Sequence, residues 1–356
     1  MRLAAIALVL ALGPRAILAA APLPVIHSGG VEYVPLEEGA EKLGLRLEKS
    51  VPLTSVMLKD GPQPVAKLAD RSRDADIRGL RVFLGDPVVE RGGKFYVSRV
   101  DFEDRLAPRL RPELCGPPPR VPRVIAIDPG HGGVDHGTEN HAHGSMEKTY
   151  TLDVSARLKR RLEEQGYKVV MTRESDVDVP KQIRSEIANQ AGADLLISIH
   201  FNSLYPNTKT TGVEVLSFPP RGQRSTNSWS PGQSNDSEQA SSPVNRFDPW
   251  NTFLAGFMHR RLVDSLKSGD RGEKFEHLGV LRGLKCPGVL LESAFLSSDA
   301  EAEHLAKPEY RDKIAEAIVA GVADYAEALR RLQPASVAAP GPAPTRAAPT
   351  RPSQAP

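Results

Sequence analysis

The apolar positions between Arg123 and about Leu332 alternate between two spacings, one typical of buried strands and the other of amphipathic helices. Short continuous apolar runs predict strands at 124–127, 167–172, 194–199, 211–218 and 289–291. Apolar residues at helical spacing predict helices at about 147–165, 181–191, 253–266 and 308–332. This alternation predicts an α/β fold, in which a twisted, mostly parallel sheet carries helices on both faces.

The segment before this pattern has a different character. Residues 24–114 alternate short apolar runs with glycine turns, which predicts a small N-terminal accessory domain that is α+β or β-rich. Within it we expect strands at 30–36 and 93–98 and a short helix at 36–43. The proline-rich residues 115–122 are typical of a stiff linker.

Two further segments lack the pattern of a core. Within the main domain, residues 123–332, the stretch 219–251 is rich in Ser, Asn, Gln, Pro and Gly and contains Trp229 and Trp250. We interpret it as a long insertion that forms a flexible lid or a recognition loop. The Pro/Ala-rich residues 333–356 are typical of a disordered tail.

The N-terminus has the pattern of a cleaved signal peptide. A positive start at Met1-Arg2 precedes the apolar run 3–12, and small residues up to Ala21 provide a cleavage region. The apolar run is too short to span a bilayer, and no cysteine lies near the cleavage region to carry a lipid. We therefore expect residues 1–21 to be removed on export, leaving a protein without a membrane anchor in the periplasm, outside the cell or in the cell wall.

Composition narrows the range of partners. Lys plus Arg total 46 and Asp plus Glu total 44, a balance that gives no argument for a nucleic-acid partner. Hydrophobic content of 40% is ordinary for a globular chain. The two cysteines, Cys115 and Cys286, do not make a disulfide framework, and Cys286 before a buried strand is typical of a small core residue.

Two histidines follow buried strands of the predicted sheet. His131 lies in the glycine-rich turn after 124–127, and His200 follows 194–199. Because the carboxyl ends of parallel strands meet at one edge of a sheet, these side chains could lie side by side. Taken singly, His131 could equally satisfy local hydrogen bonds of a tight turn, and a lone histidine such as His200 is more often structural.

Two glutamates have related settings. Glu147 begins a predicted helix, where a carboxylate is also stabilised by the helix dipole, and Glu292 follows the strand 289–291, where it could be an ordinary surface charge. Jointly, two imidazoles and the Glu147 carboxylate at one sheet edge indicate an open catalytic zinc site. A partly desolvated Glu292 would then suit proton transfer.

The remaining candidates have lesser roles. Asp128 and Asn202 are adjacent to the predicted ligands and could orient them or contact substrate, and His277 could line the cleft. The other histidines on loops or helices are expected to be exposed or at the surface; they are His136, His141, His143, His259 and His304.

The segment from Arg123 to about Leu329 resembles the catalytic domain of zinc-dependent N-acetylmuramoyl-L-alanine amidases, the family of cell-separation and spore-wall amidases. The matching stretches include IDPGHGGVDHG at 127–137, EKTYTLDVSARL at 147–158, IRSEIANQAGADLLISIHFNS at 183–203 and LGVLRGLKCPGVLLESAFLSS at 278–298, in the family's order. Ala294 stands where many members have glycine, and Ser298 where asparagine is usual, but no ligand position is changed.

The resemblance implies a function. His131, Glu147 and His200 match the family's zinc ligands, Glu292 matches its catalytic glutamate, and the substrate would be peptidoglycan. The bond cut would join the lactyl group of N-acetylmuramic acid to L-alanine. The alternatives are another zinc hydrolase acting on wall fragments and a non-catalytic wall-binding module; the sequence does not reveal the stem-peptide specificity or any activator protein.

The N-terminal segment resembles, more loosely, the copper amine oxidase N-terminal-like domain of exported bacterial proteins. The match lies in GVEYVPLEEGAEKLG at 30–44 and GKFYVSRVDFEDRLAP at 93–108. Only His27 lies in this segment, so no copper site is expected, and the resemblance implies a wall-attachment or spacer module.

Overall fold

A computed structural model describes residues 22–228 and 241–333 of the chain. The predicted signal peptide, the tail from 334 onward and Trp229 lie outside the described residues. Within the described part, none of the helices combines the length and apolar character needed to cross a membrane.

The N-terminal part is built mainly of short strands. Its strands are β1 Ile26–Ser28, β2 Val31–Pro35, β3 Arg46–Lys49, β4 Ser55–Asp60, β5 Gln63–Ala69, β6 Asp74–Ile77, β7 Leu80–Phe83, β8 Val89–Arg91 and β9 Lys94–Ser98. Its helices are α1 Leu36–Lys42, α2 Arg99–Asp101 and α3 Ala107–Leu110, with a π-helical turn at Phe102–Leu106 between the last two. The expected β-rich region at the N-terminus is therefore confirmed.

The remaining elements follow the predicted alternation. The strands are β10 Val124–Pro129, β11 Glu139–Asn140, β12 Ser145–Met146, β13 Lys168–Met171, β14 Leu195–Asn202, β15 Val213–Ser217, β16 Asp270–Phe275 and β17 Gly288–Phe295. The helices are α4 Glu147–Glu164, α5 Lys181–Gln190, α6 Asp248–Leu266, α7 Gly279–Arg282, α8 Asp299–Ala306 and α9 Pro308–Leu332.

The central sheet is mainly parallel in this part of the chain. Strands β13, β10, β14 and β17 are parallel neighbours, β15 is antiparallel to β17, and β16 is parallel to β15. Successive residues of a strand face opposite sides of the sheet, so Ile125 and Ile127 pack with α4, α6 and α9 while Ala126 packs with α5 and α7. The predicted α/β fold, with helices on both faces of a mostly parallel sheet, is confirmed.

The central sheet continues into the N-terminal part. Beyond β16 the strand order runs through β7, β6, β5, β4 and β3, which gives a sheet of eleven strands within the described residues. At the junction, Glu273 of β16 is in register with Val82 of the parallel strand β7, and the Arg81 backbone N–H donates to Asp270 Oδ2 at 2.9 Å. The other N-terminal strands form a separate sheet in the order β1-β2-β9-β8.

The described ends of the predicted insertion, 219–228 and 241–251, contain buried residues that pack against the rest of the fold, and residues 229–240 lie outside the described part. Helix α6 begins at Asp248, five residues before the predicted start, and Trp250 in its first turn belongs to the core with 4% of its surface exposed. Gln223 is buried and donates to Asp101 Oδ1 of the N-terminal part at 3.0 Å. Pro249 is compatible with this earlier start because the first helical turn needs no backbone donor there.

Two further expectations concern isolated side chains. Cys115 and Cys286 are both free, and Cys286 is buried, as expected of a small core residue. The prediction that His259 lies at the surface is wrong, because its ring is completely buried between Asp270 and Glu273. The helical pattern of α6 did not reveal that one of its polar residues faces a buried charged strand.

Candidate metal centre and cleft

His131 is held in a strained turn directly after β10. Its φ of 60° lies in the left-handed region, which a residue with a side chain adopts only when its surroundings favour it. The buried guanidinium of Arg184 donates to the His131 carbonyl at 2.9 Å, and Arg173 donates to the Gly130 carbonyl at 2.8 Å. Gly130 has no room for a side chain, because an added Cβ would overlap the His200 ring.

His200 lies beside His131 because their strands are parallel neighbours. Pro129 of β10 is in register with Ile199 of β14. His200 directly follows Ile199, and His131 lies two residues after Pro129, so both histidines lie at the same edge of the sheet. The two imidazole rings meet edge to face with their centroids 4.9 Å apart. The predicted adjacency of the two histidines is confirmed.

Glu147, the first residue of α4, lies between the two rings. Its Oε1 is 3.1 Å from His131 Nε2 and 2.9 Å from His200 Nδ1, and it also accepts the Phe201 backbone N–H at 3.0 Å. Its Oε2 accepts the Thr138 backbone N–H at 2.8 Å. One buried carboxylate is thus oriented by both histidines and by two backbone donors.

These three residues can hold a metal ion. One ligand atom from each of His131, Glu147 and His200 lies within 4.8 Å of the others. Burial would raise the pKa of Glu147, but the hydrogen bonds from His131 and His200 outweigh it, so the pKa lies well below its usual range. Burial likewise opposes the charged form of His131, yet the carboxylates of Glu147 and Asp135 raise its pKa. The Glu147 carboxylate is therefore held in its charged form beside the two imidazole rings.

Asp135 also belongs to the site, although it was not predicted from the sequence. Its Oδ2 is 2.9 Å from His131 Nδ1, the ring nitrogen that does not face Glu147. A carboxylate on the far nitrogen fixes the orientation and tautomer of a metal-binding histidine. The available signal was an acidic residue four positions after His131 in the same glycine-rich turn.

Glu292 faces the same cavity from the next strand. On β17 it is in register with His200 on one side and with Glu214 of β15 on the other. Its Oε2 is buried and has no hydrogen-bond partner in the described structure. Burial, then the negative charges of Glu147 and Glu214, raise its pKa well above the usual range, against the lowering effect of Lys274.

A buried charged network surrounds Asn202. Glu214 Oε1 accepts from Lys274 Nζ at 2.7 Å and from Arg271 Nε at 3.1 Å, and its Oε2 accepts from Asn202 Nδ2 at 3.0 Å. Asn202 Oδ1 in turn accepts the Ser203 backbone N–H at 2.7 Å. The Asn202 amide is thereby fixed at the cavity wall.

The cavity over this cluster has a volume of about 670 Å³ and is lined by His131, Glu147, His200 and Glu292 together with Asn202 and Asp128. Among the described residues, Asp128 has no hydrogen bond to any of the three candidate ligands. It accepts from Ser198 Oγ at 2.6 Å and from Arg184 at 3.0 Å, so it acts on His131 through Arg184.

The other candidate histidines lie away from the cluster. His277 does not line the cavity as predicted; its ring packs edge to face on Phe218, and its Nδ1 is 3.2 Å from Ser225 Oγ. His141, His143 and His304 are exposed as expected, whereas His136 is half-buried beside Glu139.

Comparison with known proteins gives the class of this fold and site. The family described as N-acetylmuramoyl-L-alanine amidase (Amidase_3) matches residues 125–324. The chain is 30% identical over 218 residues to the germination-specific N-acetylmuramoyl-L-alanine amidase of Bacillus subtilis, covering 57% of this chain and 79% of that protein. It is 29% identical over 243 residues to N-acetylmuramoyl-L-alanine amidase AmiC of Escherichia coli O6:H1, covering 62% of this chain and 58% of that protein.

A solved N-acetylmuramoyl-L-alanine amidase from Clostridium difficile 630 aligns with 58% of this chain and 98% of its own, at 29% identity and a TM-score of 0.48. The family match spans more than half of the 356 residues, and the chain belongs to the N-acetylmuramoyl-L-alanine amidase family. The predicted enzyme class, a hydrolase acting on peptidoglycan, is confirmed.

Proposed function

We propose that this protein is a zinc-dependent amidase that cuts the bond between the lactyl group of N-acetylmuramic acid and L-alanine in peptidoglycan. The observation that carries the proposal is the convergence of His131, Glu147 and His200 on one point, with the buried Glu292 facing the same cavity. A structural site would be closed by a fourth protein ligand, whereas this cluster opens onto a cavity that can admit substrate.

The donor set fits zinc. Two imidazole nitrogens and one carboxylate oxygen, with a further position left to water, are a common arrangement in catalytic zinc sites. Gly130 and Gly137 both adjoin the cluster where an added Cβ would overlap ligand side chains, which supports a site built for close approach. When bound, zinc would lower the pKa of a coordinated water to about 7 and polarise the scissile carbonyl.

The protein residues would supply positioning and proton transfer. Glu292 would take a proton from the attacking water and give it to the leaving nitrogen of L-alanine, as the C–N bond breaks and the lactyl group becomes a carboxylic acid. Its buried oxygen without a hydrogen-bond partner is suited to this work. Asp135 would orient His131, and Asn202 would hold substrate or ligands at the cavity wall.

The test is digestion of purified sacculi by the full chain, with and without a chelator, followed by mass analysis. We expect intact stem peptides with a free L-alanine amine, and none after zinc is removed and not restored. Release of shortened peptides or deacetylated sugars would indicate another zinc hydrolase, and no release would indicate a wall-binding module.

Glu292→Gln separates the catalytic role from metal binding. The variant should retain zinc, measured as metal per chain, while hydrolysis falls at least about 100-fold because the proton acceptor is gone. Glu303→Gln makes the same change on the exposed face of α8 and should hydrolyse like the wild type. Wild-type rates in Glu292→Gln would contradict the assigned role.

We also propose that the protein is exported and that its N-terminal residues, 24–114, serve as a wall-attachment or spacer domain joined by the 115–122 segment. Peptidoglycan lies outside the cytoplasmic membrane, which supports export with removal of residues 1–21. The resemblance to the copper amine oxidase N-terminal-like domain supports the accessory role and stays a prediction. The main domain would then be 123–332.

A further inference from the structure

Five of the twenty residues that line the cleft carry a carboxyl group, and two carry a cationic side chain. Besides Glu147 and Glu292, the acidic side chains at its wall include Asp135 and Asp178. A substrate carboxylate that enters this cleft would need a cationic side chain beside it.

Two cationic side chains line the cavity, and they differ in their contacts. Arg184 is buried, and its donors are taken by Asp128, the Pro129 carbonyl and the carbonyls of His131 and Val179. Lys181 is exposed, and its side chain has no ion pair or hydrogen bond to any residue among those the structure describes. Lys181 is therefore the cation that remains available to a ligand.

The position of Lys181 on the cavity wall is well defined. It is the first residue of α5, directly after Val179 and Pro180, which line the same cavity. Its aliphatic stem packs over Gly279 at the start of α7, since a Cβ added there would lie 3.3 Å from Lys181 Cβ and 3.6 Å from Cδ. The ammonium group thus extends from a supported stem at the edge of the cleft.

We propose that Lys181 binds a carboxylate of the stem peptide, the free α-carboxylate of the residue after L-alanine. This inference rests on the proposed function, which places L-alanine at the metal cluster and the following residues along the cavity wall. In peptidoglycan that next residue is D-glutamate linked through its γ-carboxyl group, so its α-carboxyl group is either a free carboxylate or a carboxamide. Lys181 would make the enzyme prefer the carboxylate form.

The test compares two soluble glycan–peptide fragments that are identical except for this α-carboxylate or α-carboxamide. For the zinc-loaded full chain, we expect kcat/KM to favour the carboxylate fragment by at most about fivefold, as for an exposed ion pair. Lys181→Gln should lose that preference through a higher KM on the carboxylate fragment alone. Lys181→Glu should reverse the preference, and Lys181→Arg should largely keep it.

Lys313→Gln is the matched control, because it removes the same charge from an exposed position on α9. It should leave both fragments unaffected. An equal effect of Lys181→Gln on both fragments, or an unchanged preference, would overturn the carboxylate site. If the wild-type enzyme cleaves both fragments with equal kcat/KM, this site alone is refuted. If it cleaves neither fragment, the proposed function and the site are both refuted.

Discussion

Hydrogen bonds from residues outside the candidate metal cluster hold His131 and Glu147 in place. Asp135 orients the His131 ring, Arg184 holds its backbone, and two backbone N–H groups orient Glu147. The cluster is thus arranged before any ion binds, which reduces the cost of binding one.

Asp135→Ala tests this arrangement at the level of one residue. Removing the carboxylate frees the His131 ring and lowers the basicity of its other nitrogen, so zinc affinity should fall about 10- to 100-fold. Competition with a chelator measures the affinity. Asp264→Ala, on the exposed face of α6, should leave it unchanged; an unaltered affinity in Asp135→Ala would mean that the turn alone orients His131.

At the scale of single elements, strand β16 and the first turn of helix α6 both contain buried polar residues. Strand β16, DRGEKF, was not predicted, because its burial depends on charged partners rather than on an apolar run. Glu273 and Lys274 are buried in it, and each finds an opposite charge across the fold. Helix α6 similarly begins at a buried polar residue, Asp248.

Asp248 should make α6 sensitive to pH. Burial and then the nearby Asp104 charge raise its pKa to about 8, although Asn245 and the Arg221 backbone N–H donate to it. A carboxyl group with a raised pKa stabilises the fold below its unfolded pKa, and this contribution is lost as the pH rises to about 8.

Asp248→Asn isolates this contribution. The free energy of unfolding of the wild type minus that of the variant should fall by about 5–6 kcal/mol between about pH 4 and about pH 8, and stay level above it. Urea unfolding at a series of pH values measures the difference. A difference that does not vary with pH would show that Asp248 keeps an ordinary pKa in the folded state.

At the scale of the whole molecule, the N-terminal and main parts share one sheet and one buried charge cluster. Arg109 of α3 donates to Glu273 of β16, and His259 of α6 lies against the same carboxylate at 3.4 Å. Arg105, also from the N-terminal part, is fully buried with its guanidinium 3.2 Å from the centre of the Phe275 ring. The contact between the two parts is therefore charged as well as apolar.

Glu273→Ala should weaken both parts at once. It leaves Arg109 and His259 buried without their shared carboxylate, which typically costs about 3–5 kcal/mol in the free energy of unfolding. Glu303→Ala, at an exposed position, should cost under about 0.5 kcal/mol. Urea unfolding measures both; a loss below about 1 kcal/mol for Glu273→Ala would mean that water replaces the carboxylate.

The sequence by itself determined most of the strands and the long helices of the main domain, and the residues gathered at the edge of its sheet. Apolar periodicity is a local property, and the parallel arrangement it predicts places His131 and His200 together through register alone. The enzyme class followed from the motifs carried by the same elements.

Only the tertiary structure decided which polar residues are buried and with which partners. Four features depend on residues distant in the chain or on the exact direction of a turn. They are the burial of His259, the position of β16, the contact of Asp135 with His131 and the unpaired side chain of Lys181 among the described residues. A charged residue can be buried only where an opposite charge or donor meets it, and one sequence does not show which distant residues meet.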